Sequence, residues 1–93
     1  MASNKKMLET LINSWLNPRL GFPEGTPLWN KREDGSNQAT IGMCYLYRCL
    51  GVWAVHRMVT DGGGVTVVLS DSTGAGLEKQ IRAYLRGMDS TRE

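Results

Sequence analysis

The stretch that decides the fold is residues 52–70, VWAVHRMVTDGGGVTVVLS. Two runs rich in valine, threonine and tryptophan flank the turn sequence DGGG at 61–64, and β-branched and aromatic residues are typical of strands. Glycine supplies the positive φ angles that a tight hairpin turn needs. The stretch therefore predicts an antiparallel hairpin in which residues 52–60 pair with residues 65–70.

Helical patterns lie on both sides of this hairpin. Apolar side chains in residues 5–16 recur at the spacing of one helix face, and Asn17-Pro18 predicts the helix end because the residue before proline avoids the helical conformation. Residues 77–86 show the same spacing, with Gly87 as the expected C-terminal cap. The expected inward residues are Met7, Leu8, Leu11, Ile12, Trp15 and Leu16 in the first helix and Leu77, Ile81, Tyr84, Leu85 and Met88 in the second.

The segment between the first helix and the hairpin has a weaker pattern. Residues 18–27 contain all three prolines and predict a loop, and residues 28–32 predict a short edge strand that a turn follows. Residues 38–50, QATIGMCYLYRCL, are apolar nearly all round, so periodicity does not separate strand from helix. We favour a strand, because it supplies a partner for residues 52–60. The alternative is a helix that ends at Gly51.

The predicted architecture is a small two-layer α+β domain, with an N-terminal helix, an antiparallel meander or hairpin sheet and a C-terminal helix. The 93 residues predict a single domain with loose termini at 1–4 and 89–93 and with Ser3 or Asn4 as the first helix cap. The net charge is +2, no apolar run has transmembrane length, and MASNKKMLET lacks a signal-peptide pattern. These features predict a cytoplasmic protein without a membrane partner.

The residues that carry chemistry form no catalytic or metal-binding motif. His56 is the only histidine, and Cys44 and Cys49 have C-x₄-C spacing without a fourth ligand, unlike a zinc site. Both cysteines are expected to be reduced core residues on opposite faces. The loop SDSTGAG at 70–76 is typical of a turn with an N-cap, and a weak anion site is the alternative. We therefore expect no enzymatic activity, no cofactor and no metal.

Aromatic and arginine side chains are the candidates for a contact surface, since exposed Trp, Tyr and Arg often anchor interfaces. The aromatic candidates are Trp29, Tyr45, Tyr47 and Trp53. Strand alternation places Trp53 and Arg57 on one face of the hairpin and His56 on the other. In a sheet that helices cover on one side, the opposite side faces water. The candidate partner-binding residues are Trp53, Arg57, Arg48, Tyr45, Trp29, Lys79, Arg82 and Arg86.

A basic stripe on the last helix supports a different partner. Lys79, Arg82 and Arg86 recur at helical spacing on one side. The order of helix, strands and helix resembles a double-stranded RNA-binding domain in topology, although the lysine cluster that opens the last helix in that family is replaced here by GLEK at 76–79. If residues 38–50 are helical, the layout resembles a winged helix, whose recognition helix enters the major groove.

The favoured function is a small non-enzymatic protein-binding module. It would act as an inhibitor or adaptor by occupying a surface on a larger protein or ribonucleoprotein complex. Phage-borne inhibitors of host machinery, anti-CRISPR proteins among them, are often of this size and equally without motifs, which is an analogy of size alone. The alternative is a nucleic-acid-binding domain, and an exposed apolar patch would also suit a homodimer.

Overall fold

The computed structural model describes residues 5–90. An N-terminal helix, two antiparallel sheets and a C-terminal helix follow one another, which confirms the predicted α+β class and element order. The cap predicted at Ser3 or Asn4 and the terminus predicted at 1–4 lie outside the described residues. The strands are β1 (Trp29–Lys31), β2 (Asn37–Ala39), β3 (Cys44–Cys49), β4 (Val52–Met58) and β5 (Val65–Asp71).

The N-terminal helix is continuous but irregular. Lys5–Thr10 and Asn17–Arg19 are α-helical, and Leu11–Leu16 between them is π-helical. The amide of Asn17 donates to the carbonyl of Ile12, five residues back. The prediction that this helix ends before Asn17-Pro18 is wrong, because the wider π turn relieves the clash that a proline ring makes with the preceding helical turn.

The π turn also changes which side chains of the N-terminal helix face the core. A π turn holds one residue more than an α turn, so the positions that follow Ile12 are rotated about the helix axis. Leu16 and Asn17 are buried, whereas Trp15 is 51% exposed. The spacing that predicted Trp15 as a core residue assumed a regular helix.

The hairpin forms as predicted, with β4 and β5 antiparallel. Its register runs from Trp53 opposite Asp71 to Met58 opposite Val65, and a bulge interrupts it at Val55/His56. Gly63 in the turn has φ +103°, the left-handed conformation that the glycine run predicted.

Residues 38–50 contribute to two strands, which confirms the strand interpretation. The backbone turns at 40–43, where the Met43 amide donates to the Thr40 carbonyl over 3.2 Å, and Gly42 has φ +92°. From Cys44 the chain pairs with β4 along the whole of β3. The helical alternative and the winged-helix layout are therefore wrong, because this pairing satisfies the backbone groups that a helix would have satisfied internally.

The predicted edge strand at 28–32 also exists, as β1, but its partner is β2 rather than the hairpin. β1 and β2 form a separate two-stranded sheet, and β3, β4 and β5 form a three-stranded sheet in that order. The predicted turn at 33–36 joins β1 to β2, and the Arg32 amide donates to the Ser36 carbonyl over 2.7 Å.

The C-terminal helix, Gly74–Ser90, is longer at both ends than the predicted 77–86. It begins after Thr73, whose hydroxyl accepts a hydrogen bond from the Gly76 amide over 2.9 Å, so the predicted N-cap is confirmed. The predicted cap at Gly87 is wrong, because Met88 still packs against the core. The loose tail predicted from Asp89 is wrong for 89–90, and 91–93 lie outside the described residues.

Both helices pack on one side of the three-stranded sheet, and the core lies between these layers. Tyr84, predicted to face inward, is 37% exposed. Cys44 is buried but Cys49 is exposed, so the expectation that both cysteines are core residues holds only for Cys44. The main core cluster consists of Leu8, Leu11, Ile12, Leu16, Cys44, Val55, Leu77, Ile81 and Leu85, and Ala39, Met43, Ala54 and Met58 are also buried.

Candidate functional site

The two sides of the three-stranded sheet differ in cover and in charge. Leu46, Trp53 and Leu69 pack against the core on the side that the helices cover. By alternation, the neighbouring positions of each strand point to the other side, where the exposed and half-buried residues form a surface that we call the open face. The open face consists of Tyr45, Tyr47, Cys49, Val52, His56, Val65, Val67 and Ser70.

Three aromatic rings occupy the centre of the open face. His56 of β4 stacks on Tyr47, with ring centroids 4.3 Å apart and an angle of 14° between the planes. Tyr45 meets the same imidazole edge-on at 5.6 Å, and its hydroxyl lies 3.4 Å from the His56 Nδ1 atom. Neighbouring strands therefore hold the imidazole between two tyrosines.

The open face is uncharged at neutral pH. Partial burial lowers the pKa of His56 and so favours the neutral imidazole. The pKa of Tyr47 is raised above its ordinary value, mainly by the side chain of Cys49, so its hydroxyl stays protonated at neutral pH. None of the residues that form this surface is Asp, Glu, Lys or Arg.

Aliphatic side chains surround the three rings. The exposed fraction is 45% for Val52 and 57% for Val67, and Val67 lies directly opposite His56 in the register. Solvent-facing sides of antiparallel sheets are usually polar. Here the charged residues Arg57 and Asp71 are instead on the side that the helices cover.

Trp53 and Arg57, predicted as exposed contact residues, are half-buried on the helix-covered side. The Arg57 Nε atom donates to the Gly42 carbonyl over 3.0 Å. The Arg48 guanidinium lies 4.3 Å from the centre of the Trp53 ring, a cation–π contact. Alternation separated the two faces correctly, but the helices cover the face that the sequence analysis favoured for binding.

The remaining predicted contact residues lie on other surfaces. Tyr45 is on the open face, and Trp29 is half-exposed with its ring against Gly63. Lys79, Arg82 and Arg86 are exposed on the C-terminal helix. The structure therefore distributes the predicted set over several surfaces, and a binding role for each residue stays a prediction.

The final set of predicted contact residues contains neither Tyr47, one of the aromatic candidates, nor Val52, His56 and Val67. Their two-residue spacing along β3, β4 and β5 is visible in the sequence and places them on one face with Tyr45. What the sequence lacked was the information that this face is the open one.

The register separates His56 from both cysteines. Cys44 pairs with Arg57 and its side chain enters the core, where burial raises the pKa of its thiol. Cys49 is on the open face, but it lies four residues along β3 from Tyr45, which pairs with His56. At a strand rise of about 3.3 Å per residue, this separates Cys49 from the His56 position by roughly 13 Å.

Within residues 5–90, no three or more His, Cys, Asp or Glu side chains are grouped so that they could hold a metal ion. Neither helix, over the same residues, combines the length and hydropathy that crossing a membrane requires.

Comparisons with protein-family models, curated proteins and solved structures gave no match to this chain.

Proposed function

We propose that this chain is a small non-enzymatic protein-binding module, an inhibitor or adaptor that occupies a surface on a larger cytoplasmic partner through the open face. The observation that supports this function is the combination of clustered aromatic rings, exposed valines and no charge on one side of an otherwise charged domain. The centres of protein interfaces are depleted in charged residues and enriched in aromatic ones.

The arrangement of the rings favours recognition by contact. Tyr45, His56 and Tyr47 hold one another in place, so little side-chain entropy is lost when a partner covers them. Tyrosine also offers a hydroxyl at the edge of a flat apolar surface, which suits a contact that is partly polar.

The test introduces a charge at the centre of the open face. Val67→Lys places an ammonium opposite His56, and Val59→Lys is the matched control because Val59 is 48% exposed in the hairpin turn, outside the open face. Tagged wild-type protein and both variants are incubated with nuclease-treated host lysate at moderate salt. Bound proteins are then quantified by mass spectrometry.

We expect a partner that wild type and Val59→Lys retain equally and that Val67→Lys loses at least about tenfold, which equals ~1.4 kcal/mol. Circular dichroism must show that both variants are folded. If every retained protein binds Val67→Lys as well as wild type, the open face is not the binding surface. A stable dimer that Val67→Lys dissociates would replace the larger partner with a second copy.

Nucleic-acid binding by the basic stripe stays a second prediction. Lys79, Arg82 and Arg86 are all exposed, although the Arg82 Nε atom is 2.8 Å from a Glu78 carboxylate oxygen, which offsets part of the stripe's charge. Material that is lost from the pull-down on nuclease treatment would favour this function.

A further inference from the structure

A groove of about 540 Å³ runs between the N-terminal and C-terminal helices, away from the open face. Met7 and Leu11 from the first helix and Leu85 from the second supply apolar lining, and Trp15 contributes an exposed indole. A bidentate ion pair between Arg19 and Asp89, with N–O distances of 2.7 and 3.0 Å, joins the two helices within this lining.

Trp15 reaches the groove because of the π-helical turn Leu11–Leu16. The indole would belong to the core stripe of a regular helix, but the extra residue turns it outward, and half of its surface is exposed. A large aromatic ring costs free energy when it is left in water, and π turns inside α-helices are frequent at functional sites. The turn therefore gives the groove an apolar anchor that helix packing alone does not require.

The charges around the groove favour an anionic partner. Its lining includes Arg19, Arg82 and Arg86. Asp89 pairs with Arg19 and Glu78 pairs with Arg82, which leaves a net charge of +1. Within residues 5–90, Arg86 makes no ion pair, and its side chain is exposed. A segment that carries carboxylates beside apolar side chains would complement both features of this surface.

We propose that the groove binds an acidic amphipathic helix of a partner protein. Two helices side by side present a trough that a third helix fills with side chains at i, i+3, i+4 and i+7. The apolar side of that helix contacts Trp15, Leu11 and Leu85, and a flanking carboxylate pairs with Arg86. This surface shares no residue with the open face, so the proposal stands whether or not the open face binds a partner.

The test uses two fluorescein-labelled helical peptides of about 15 residues with leucine at the i, i+3, i+4 and i+7 positions. One carries glutamate at the flanking positions, and the other carries lysine at the same positions. Fluorescence anisotropy measures their affinity for the full chain. We expect the acidic peptide to bind at least about tenfold more tightly than the basic one, and its affinity to fall as the salt concentration rises.

Matched variants locate the site on the protein. Arg86→Glu should lower the affinity for the acidic peptide about tenfold. Lys79→Glu makes the same charge change on the same helix but outside the groove lining, and it should change this affinity less than about threefold. Trp15→Ser should weaken binding, and Tyr84→Ser, an exposed aromatic residue outside the lining, should not. Circular dichroism confirms that each variant is folded.

Equal affinity for the acidic and basic peptides would overturn the proposal, as would no binding of the acidic peptide at about 1 mM, where only ~4 kcal/mol of binding free energy is needed. An equal loss of affinity for the acidic peptide in Arg86→Glu and Lys79→Glu would also overturn it. The peptide would then respond to the overall positive charge of the C-terminal helix and not to the groove. If a DNA oligonucleotide displaces the peptide, and Arg86→Glu and Lys79→Glu both weaken DNA binding, that result would assign the basic stripe of the C-terminal helix to nucleic acid instead.

Discussion

Asp71 and Gly76 show how one side chain determines the start of the C-terminal helix. The Asp71 Oδ1 atom accepts hydrogen bonds from the Thr73 amide over 2.9 Å and from the Thr73 hydroxyl over 3.1 Å. These bonds, led by the backbone amide, lower the pKa of Asp71. Gly76 leaves the space that this carboxylate occupies, since a Cβ atom there would overlap it.

Gly76→Ala should therefore destabilise the protein, although alanine is the better helix former. The methyl group displaces the Asp71 carboxylate and breaks its hydrogen bonds, and loss of such a cap costs about 0.5–2 kcal/mol. Thermal unfolding followed by circular dichroism gives the shift in Tm, which is about 4–8 °C per kcal/mol for a domain of this size.

Gly87→Ala in the same helix is the control, because a Cβ atom there meets no neighbour within 4 Å. That variant should be up to about 1 kcal/mol more stable than wild type. If both alanine variants shift Tm in the same direction by similar amounts, Asp71 does not hold the helix start.

At the scale of elements, one buried amide attaches the N-terminal helix to the edge of the sheet. The Asn17 Oδ1 atom accepts a hydrogen bond from the Cys44 amide over 2.8 Å, and Asn17 Nδ2 donates to the Cys44 carbonyl over 2.9 Å. Asn17 is 1% exposed. The side chain thus continues the hydrogen bonding of the sheet beyond β3, where no further strand pairs in the described part of the chain.

Asn17→Ala should be strongly destabilising, because it leaves both Cys44 backbone groups unpaired inside the protein at a cost of about 1–3 kcal/mol each. Asn13→Ala, an exposed position on the same helix, should change stability by less than about 0.5 kcal/mol. Urea unfolding at equilibrium measures both differences. Equal stability of the two variants would show that the helix is held by its apolar contacts alone.

For the whole molecule, the protonation of His56 on the open face makes the free energy of unfolding depend on pH. The folded protein favours the neutral imidazole, because burial lowers the pKa of His56 below its ordinary value. The unfolded chain therefore binds an additional proton as the pH falls below about 6.5, and the free energy of unfolding decreases over that range. About one pH unit or more above this value the imidazole is neutral in both states, and its contribution no longer changes.

Replacement of the imidazole by an amide tests this dependence. Between pH 7.5 and about pH 5, wild type should lose more stability than His56→Gln, which has no group that titrates at this position. The lowered pKa values of Asp34 and Asp71 act at more acidic pH, where those carboxylates begin to take up protons. Parallel pH profiles for the two proteins would contradict a perturbed His56.

The sequence by itself determined the features that depend on near neighbours in the chain. Residues 52–70 form the predicted hairpin because β-branched residues and a glycine turn favour it locally. The apolar stripes likewise located both helices. The ends of the helices were less predictable, because they depend on residues far away in the sequence. Asp89, near the end of the C-terminal helix, for example, forms an ion pair with Arg19 of the N-terminal helix.

Only the tertiary structure decided which surfaces are exposed. Alternation divides β4 into two faces but cannot say which one the helices cover, because that depends on where Val55 and Cys44 meet side chains from other elements. Trp15 is exposed for a related reason: its position follows from a π turn that no hydrophobic period indicates. The sequence therefore determined the elements, and the packing between them decided that Tyr45, His56 and Tyr47 form the open face.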